Sequence, residues 1–144
     1  GLQVKLLEKV NIKDLQPGDL IYIAWSDAWE ANRIPLKDRE YDAIWHEWGV
    51  FIFIRGKKKK HLIMAYNKKP GDITQWDFTA IPIDLILEIK RIQPKFLQTV
   101  LPGLIEKLLS KASSTVPKRL DKGRKTVLRW SIDSIFEVDS QSTD

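Results

Sequence analysis

Seven positive side chains run from Arg55 to Lys69 with no negative one between them: Arg55, Lys57, Lys58, Lys59, Lys60, Lys68 and Lys69. Lysine presents a compact point charge to phosphate. Each phosphate neutralised releases condensed counterions, so such a set gives nucleic-acid affinity that falls steeply with salt. A second set, Lys118, Arg119, Lys122, Arg124, Lys125 and Arg129, is interrupted only by Asp121. Both sets have a plainer use, because lysines at a hairpin tip discourage edge pairing and a basic linker stays solvated.

Base stacking would need aromatic rings near these charges, and the chain holds six tryptophans. Trp25, Trp29, Trp45 and Trp48 flank a long polar stretch after the first apolar run. Trp25 and Trp48 fall within strand patterns and are read as core. Trp29 and Trp45 stand in less regular sequence and are the candidates for an exposed stacking or groove surface. Trp76 and Trp130 are assigned to packing. The same stretch carries Asp27, Glu30, Asp38, Glu40, Asp42 and Glu47, which repel phosphate there. A surface split into basic and acidic parts also suits a protein-interaction module or a self-assembling subunit.

Catalytic signatures are sparse. The histidines are His46 and His61, and "WHEWG" lacks the second histidine of a zinc motif. His46 and Glu47 would point to opposite faces of an extended strand. There is no cysteine, hence no disulfide, thiolate metal site or cysteine nucleophile. No glycine-rich phosphate loop is present, and the serines around Ser113 have no nearby base. The expectation is a non-enzymatic protein without cofactor or metal.

The elements that position these residues follow from pattern. At 144 residues and 43% apolar content, the chain has the size of one domain with an appendage. "QPGD" is a turn: Pro17 fixes φ, Gly18 permits a positive φ, and Asp19 can accept from nearby amides. "LIYIAW" alternates as a strand, with Ile21, Ile23 and Trp25 on one face. Residues 26–44 read as a long loop. "WGVFIFIRG" and "HLIMAY" make a hairpin turned by Gly56 and the lysines, and "ITQWDFTAIP" is a fourth strand. "IDLI" suits one 3₁₀ turn before a fifth strand, "LEIKRI".

This order resembles the SH3-like small barrel over residues 15–92. The resemblance implies a five-stranded barrel with its ligand groove beside the first loop. The pattern W-x-D, W-G-V and I-P-x-x-x-I is similar to small proteins of phages and of archaeal viruses or plasmids. The "PGD" turn is also similar to toxin ribonucleases of the MazF type. Their Arg-Pro pair is missing here, so their activity is not carried over.

Beyond residue 93 the character changes. "PKFLQTVLPGLIEKLLSKASS" has helical spacing that Pro102 and Gly103 must kink or divide. Its apolar stripe, over 94–111, should cap the barrel or pack on a second copy. A basic linker and "TVLRWSIDSIFEV" follow, the latter leaning to helix, and then a polar tail.

The expected class is mainly β (α+β): an SH3-like barrel with N-terminal arm over 1–92, and a helical extension with basic linker and tail over 93–144. The net charge of +5 points to anionic partners, nucleic acid (DNA or RNA) first. A protein partner or a homo-oligomer through the 94–111 helix is the alternative. No apolar run is long enough to span a bilayer, so no membrane partner and a cytoplasmic location are expected. The lysine-rich, cysteine-free composition would suit a thermophile.

Overall fold

The fold comes from a computed structural model, which describes residues 6–26, 44–121, 127–132 and 134–135, with 119 and 121 as backbone only. Among the described residues, six antiparallel strands form one open sheet in the order β5-β1-β2-β3-β4-β6. The strands are β1 (Leu20–Ser26), β2 (Ile44–Arg55), β3 (His61–Lys69), β4 (Asp72–Pro82), β5 (Ile86–Gln93) and β6 (Leu128–Ile132). A 3₁₀ turn, Ile83–Leu85, joins β4 to β5 as the sequence suggests. Two short helices follow, α1 (Phe96–Val100) and α2 (Leu104–Thr115), divided at Pro102 and Gly103.

Two expectations are corrected. The strands number six, one more than the five expected, and among the described residues they pair as an open sheet. The segment leaning to helix contains β6 instead, paired Phe78↔Trp130 and Ala80↔Leu128. Leu128, Trp130 and Ile132 alternate with Arg129 and Ser131, the period of two that a half-covered strand requires. The second strand also begins earlier than expected, at Ile44 rather than Trp48, and so includes Trp45, His46 and Glu47.

The sheet buries both faces, because β2, β3 and β4 are apolar on each side. One face gathers Ile21, Ile23, Trp25, Phe51, Leu62, Met64, Ile81 and Ile89, drawing on all of β1 to β5. The other gathers Val50, Ile52, Ile63, Ala65, Phe78 and Ala80 under α2, whose Leu104, Ile105, Leu108 and Ala112 are buried. A register shift between Phe51 and Phe53 lets both Ile52 and Phe53 pack on this helical side. Most of the apolar stripe of 94–111 thereby covers the sheet, with Leu97, Leu104, Ile105 and Leu108 buried and Val100 left half exposed.

The "PGD" turn proves to be a junction. Gly18 has φ +98; its N–H donates to the Phe51 carbonyl and its own carbonyl accepts from Leu97 N–H. The Asp19 carboxylate is 1% exposed and accepts from Gln16 N–H at 2.9 Å, Lys95 N–H at 2.8 Å and Arg91 Nε at 3.1 Å. The Lys95 bond holds that residue at φ +48, an uncommon conformation for a side-chain-bearing residue, just ahead of α1.

The N-terminal arm is tied to β5 by Val10 N–H donating to the Ile89 carbonyl and by Lys9 Nζ at 3.2 Å from Glu88 Oε2. Hydrogen bonding to Lys9 is the main cause that holds the Glu88 carboxyl below the usual carboxylate range. A lowered folded-state pKa stabilises above the unfolded value and is lost as pH falls through the folded one. Exchange protection of the Val10 amide, corrected for intrinsic rate, is therefore expected to hold at neutral pH and to decline only below the ordinary carboxylate range.

Candidate nucleic-acid interface

The β2–β3 hairpin places the lysines because of one glycine. Gly56 adopts φ +116, and a Cβ there would overlap the Lys59 carbonyl oxygen. Gly56→Ala is expected to cost about 1–3 kcal/mol through backbone strain, read as a lower urea midpoint. Lys57, Lys58 and Lys60 are exposed and Lys59 is half-buried. The tip is braced from beneath: Ile83 N–H donates to the Lys60 carbonyl at 2.9 Å, and buried His61 donates from Nδ1 to the Lys59 carbonyl at 3.2 Å. Between tip and 3₁₀ turn lies a shallow pocket of about 200 Å³, lined by Lys58, Lys59, Lys60, His61, Pro82, Ile83 and Asp84. The braced backbone thus presents four consecutive lysines at one turn.

The structure separates what the sequence ran together. Lys68 and Lys69 are exposed, but they stand at the opposite end of β3 from the tip, about 26 Å away at ~3.3 Å per residue. Arg55 is engaged toward the helices. Its Nη2 donates to Ser113 Oγ at 3.0 Å and its guanidinium lies 4.8 Å from the Phe53 ring centroid, so it fastens α2 to the sheet.

Lys118 is exposed and opens the 3₁₀ turn Lys118–Asp121, just beyond the end of α2 that Arg55 reaches. β6 starts at Leu128 opposite Ala80, itself opposite Ile63, so this part of the chain also returns to the hairpin end. Lys122, Arg124 and Lys125 lie outside the described residues, as do Trp29, the acidic residues at 27–42 and the polar tail. Arg119 is described as backbone only.

Arg129, counted with the basic linker, serves otherwise. Its Nη1 lies 2.6 Å from Glu47 Oε1 and 3.0 Å from Thr79 Oγ1, while Trp25 Nε1 donates to Glu47 Oε2 at 2.6 Å. Hydrogen bonding to Glu47 is the main cause that raises the guanidinium pKa further. This bridge joins β2 to β6 across the face opposite the helices. Glu47 is thus a structural partner rather than part of a repelling wall.

The aromatic assignments divide. Trp45 is 49% exposed as expected, stacked on buried Trp25 with ring centroids 5.7 Å apart. Trp76 is buried and Trp130 packs on Phe78 at 5.5 Å. Trp48, expected in the core, is instead 66% exposed. It lies on the helix-covered side of β2, since Val50 two residues on is buried there, but beyond the reach of the helices. His46 and Glu47 point to opposite faces: His46 Nδ1 is 2.6 Å from Tyr22 Oη and Glu47 meets Arg129.

Among the described residues, no group of three or more His, Asp or Glu is placed to hold a metal ion, and no helix is long and apolar enough to cross a membrane. No protein-family model, curated protein or solved structure matches the chain.

Proposed function

We propose that the protein is a non-enzymatic nucleic-acid-binding module that grips phosphates with little base specificity, through the tip lysines 57–60 and the basic segment running from Lys118 to Lys125. The observation that carries this reading is the braced hairpin tip, three of whose four lysines are exposed. Lys68 and Lys69 join only with a ligand long enough to span the sheet. The strand order β5-β1-β2-β3-β4 and the 3₁₀ turn further support reading β1 to β5 as an SH3-like barrel to which β6 and the helices are added.

The test is fluorescence anisotropy with labelled single- and double-stranded oligonucleotides across a salt series. The reading expects binding whose log K falls linearly with log salt concentration. Absence of binding at low salt would overturn it and turn the search to a protein partner or an assembly of copies.

A further inference from the structure

We infer that the uncovered part of the helical side of the sheet, on β5, β1 and β2, is a ledge on which the bases of single-stranded nucleic acid stack. This rests on the nucleic-acid reading above and adds the form of polymer that is bound. The register aligns Lys90, Tyr22 and Trp48 in one row across the three strands, with Glu88, Ala24 and His46 in the next. Successive rows on one face lie about 7 Å apart, two residues of ~3.4 Å rise. The Tyr22 and His46 rings stack with centroids 5.9 Å apart and planes inclined by 19°, and Trp48 stands beside them largely in solvent.

These rings have a polar setting unlike a buried protein interface. Lys90 Nζ lies 6.0 Å from the Tyr22 ring centroid, and Lys9 stands at the row's edge, bridged to Glu88. Glu88 is the carboxylate on the ledge, and two ammonium groups face it, Lys9 at 3.2 Å and Lys90 at 3.5 Å. The local charge therefore favours an anionic polymer. Aromatic faces beside ammonium groups accept any unpaired base, because every base has a π-face, whereas a duplex keeps its faces stacked inside. Ring faces and an ammonium do not read the sugar, so DNA and RNA strands are expected to bind alike.

The ledge and the tip lie on one strand. From Trp48 to Lys57, just past the end of β2, is about 30 Å at ~3.3 Å per residue, a span within reach of a single-stranded 16-mer. One strand could therefore lay bases on the ledge and phosphates on the tip.

The experiment compares Trp48→Ala and Trp48→Phe with the unaltered full chain on three probes: a single-stranded 16-mer, the same strand with abasic sites at its centre, and a duplex. Trp48 is exposed, so truncation leaves the core intact. Stacking expects Trp48→Ala to weaken the ordinary strand at least about fivefold, Trp48→Phe to restore most of it, and neither to change abasic or duplex binding. Equal effects of Trp48→Ala on ordinary and abasic strands, or none on either, would overturn the ledge while salt-dependent binding upheld the phosphate reading. A change in sedimentation without a change in affinity would likewise overturn it, assigning the face to a second copy. Failure of the unaltered chain to bind any probe would overturn both readings together.

Discussion

Asp19→Ala is expected to lower folding stability by about 3 kcal/mol, seen as a reduced urea midpoint with an unchanged slope. The carboxylate is 1% exposed and organises three separate places: the turn at Gln16, the end of β5 through Arg91, and the start of α1 through Lys95. Removing it leaves the Arg91 charge without its partner and two amides without an acceptor. It also releases the bond that holds Lys95 at positive φ. Arg91 remains about a quarter exposed and also donates to the Asp14 carbonyl, which keeps the cost near the lower end for a broken buried pair. Asp19→Asn retains an acceptor and should lose less. A loss under about 1 kcal/mol for the alanine variant would show that the junction is not what ties these elements together.

The second large effect concerns binding. Exchanging Lys57, Lys58, Lys59 and Lys60 together for serine is expected to reduce the slope of log K against log salt by about 3, at ~0.7–0.9 per phosphate contact. If the two salt curves converge near 1 M, affinity at ~0.1 M salt falls about 1,000-fold. The fold should survive, because Gly56 and the Ile83 N–H to Lys60 carbonyl bond set the turn through backbone. Lys68 and Lys69 exchanged together should change short-oligonucleotide binding little, being across the sheet. An unchanged salt slope in the fourfold variant would remove the tip from the interface and return its lysines to solubility alone.

Much of the sheet was legible because its cues are local. Gly18 and Gly56 stand where φ must be positive, Pro102 and Gly103 divide the helices, and alternation through 20–25 sorts β1 into two faces. What escaped depended on partners distant in sequence. Trp48 sits in a run apolar on both sides, and periodicity says which residues share a face without saying which face is left uncovered. That depends on where α1 and α2 come to rest. β6 was missed although its alternation was present, because Leu128, Ile132 and Ile135 also fit helical spacing. Arg55 and Arg129 looked like members of basic runs. Their real partners, Ser113 and Glu47, lie 58 and 82 positions away, beyond any local pattern. The separation of Lys57–60 from Lys68 and Lys69 was open to sequence reasoning, since an intervening strand must hold its two ends apart, but the charges read as one run.

The position of β1 has a consequence for how the chain acquires its structure. β2, β3 and β4 pair with one another as a meander close in sequence, whereas β1 sits between β2 and β5, and its ladder to β5 joins Leu20 to Gln93. During synthesis from the N-terminus, the meander of β2 to β4 can assemble first, while β1 keeps an unpaired edge until residue 93 has emerged. Closing that span carries the largest loop-entropy cost among the ladders of β1 to β5, so the β1–β5 pairing and the Asp19 junction that fastens it belong to the late stage of folding. Until then, the apolar residues of β1 are open to misassociation.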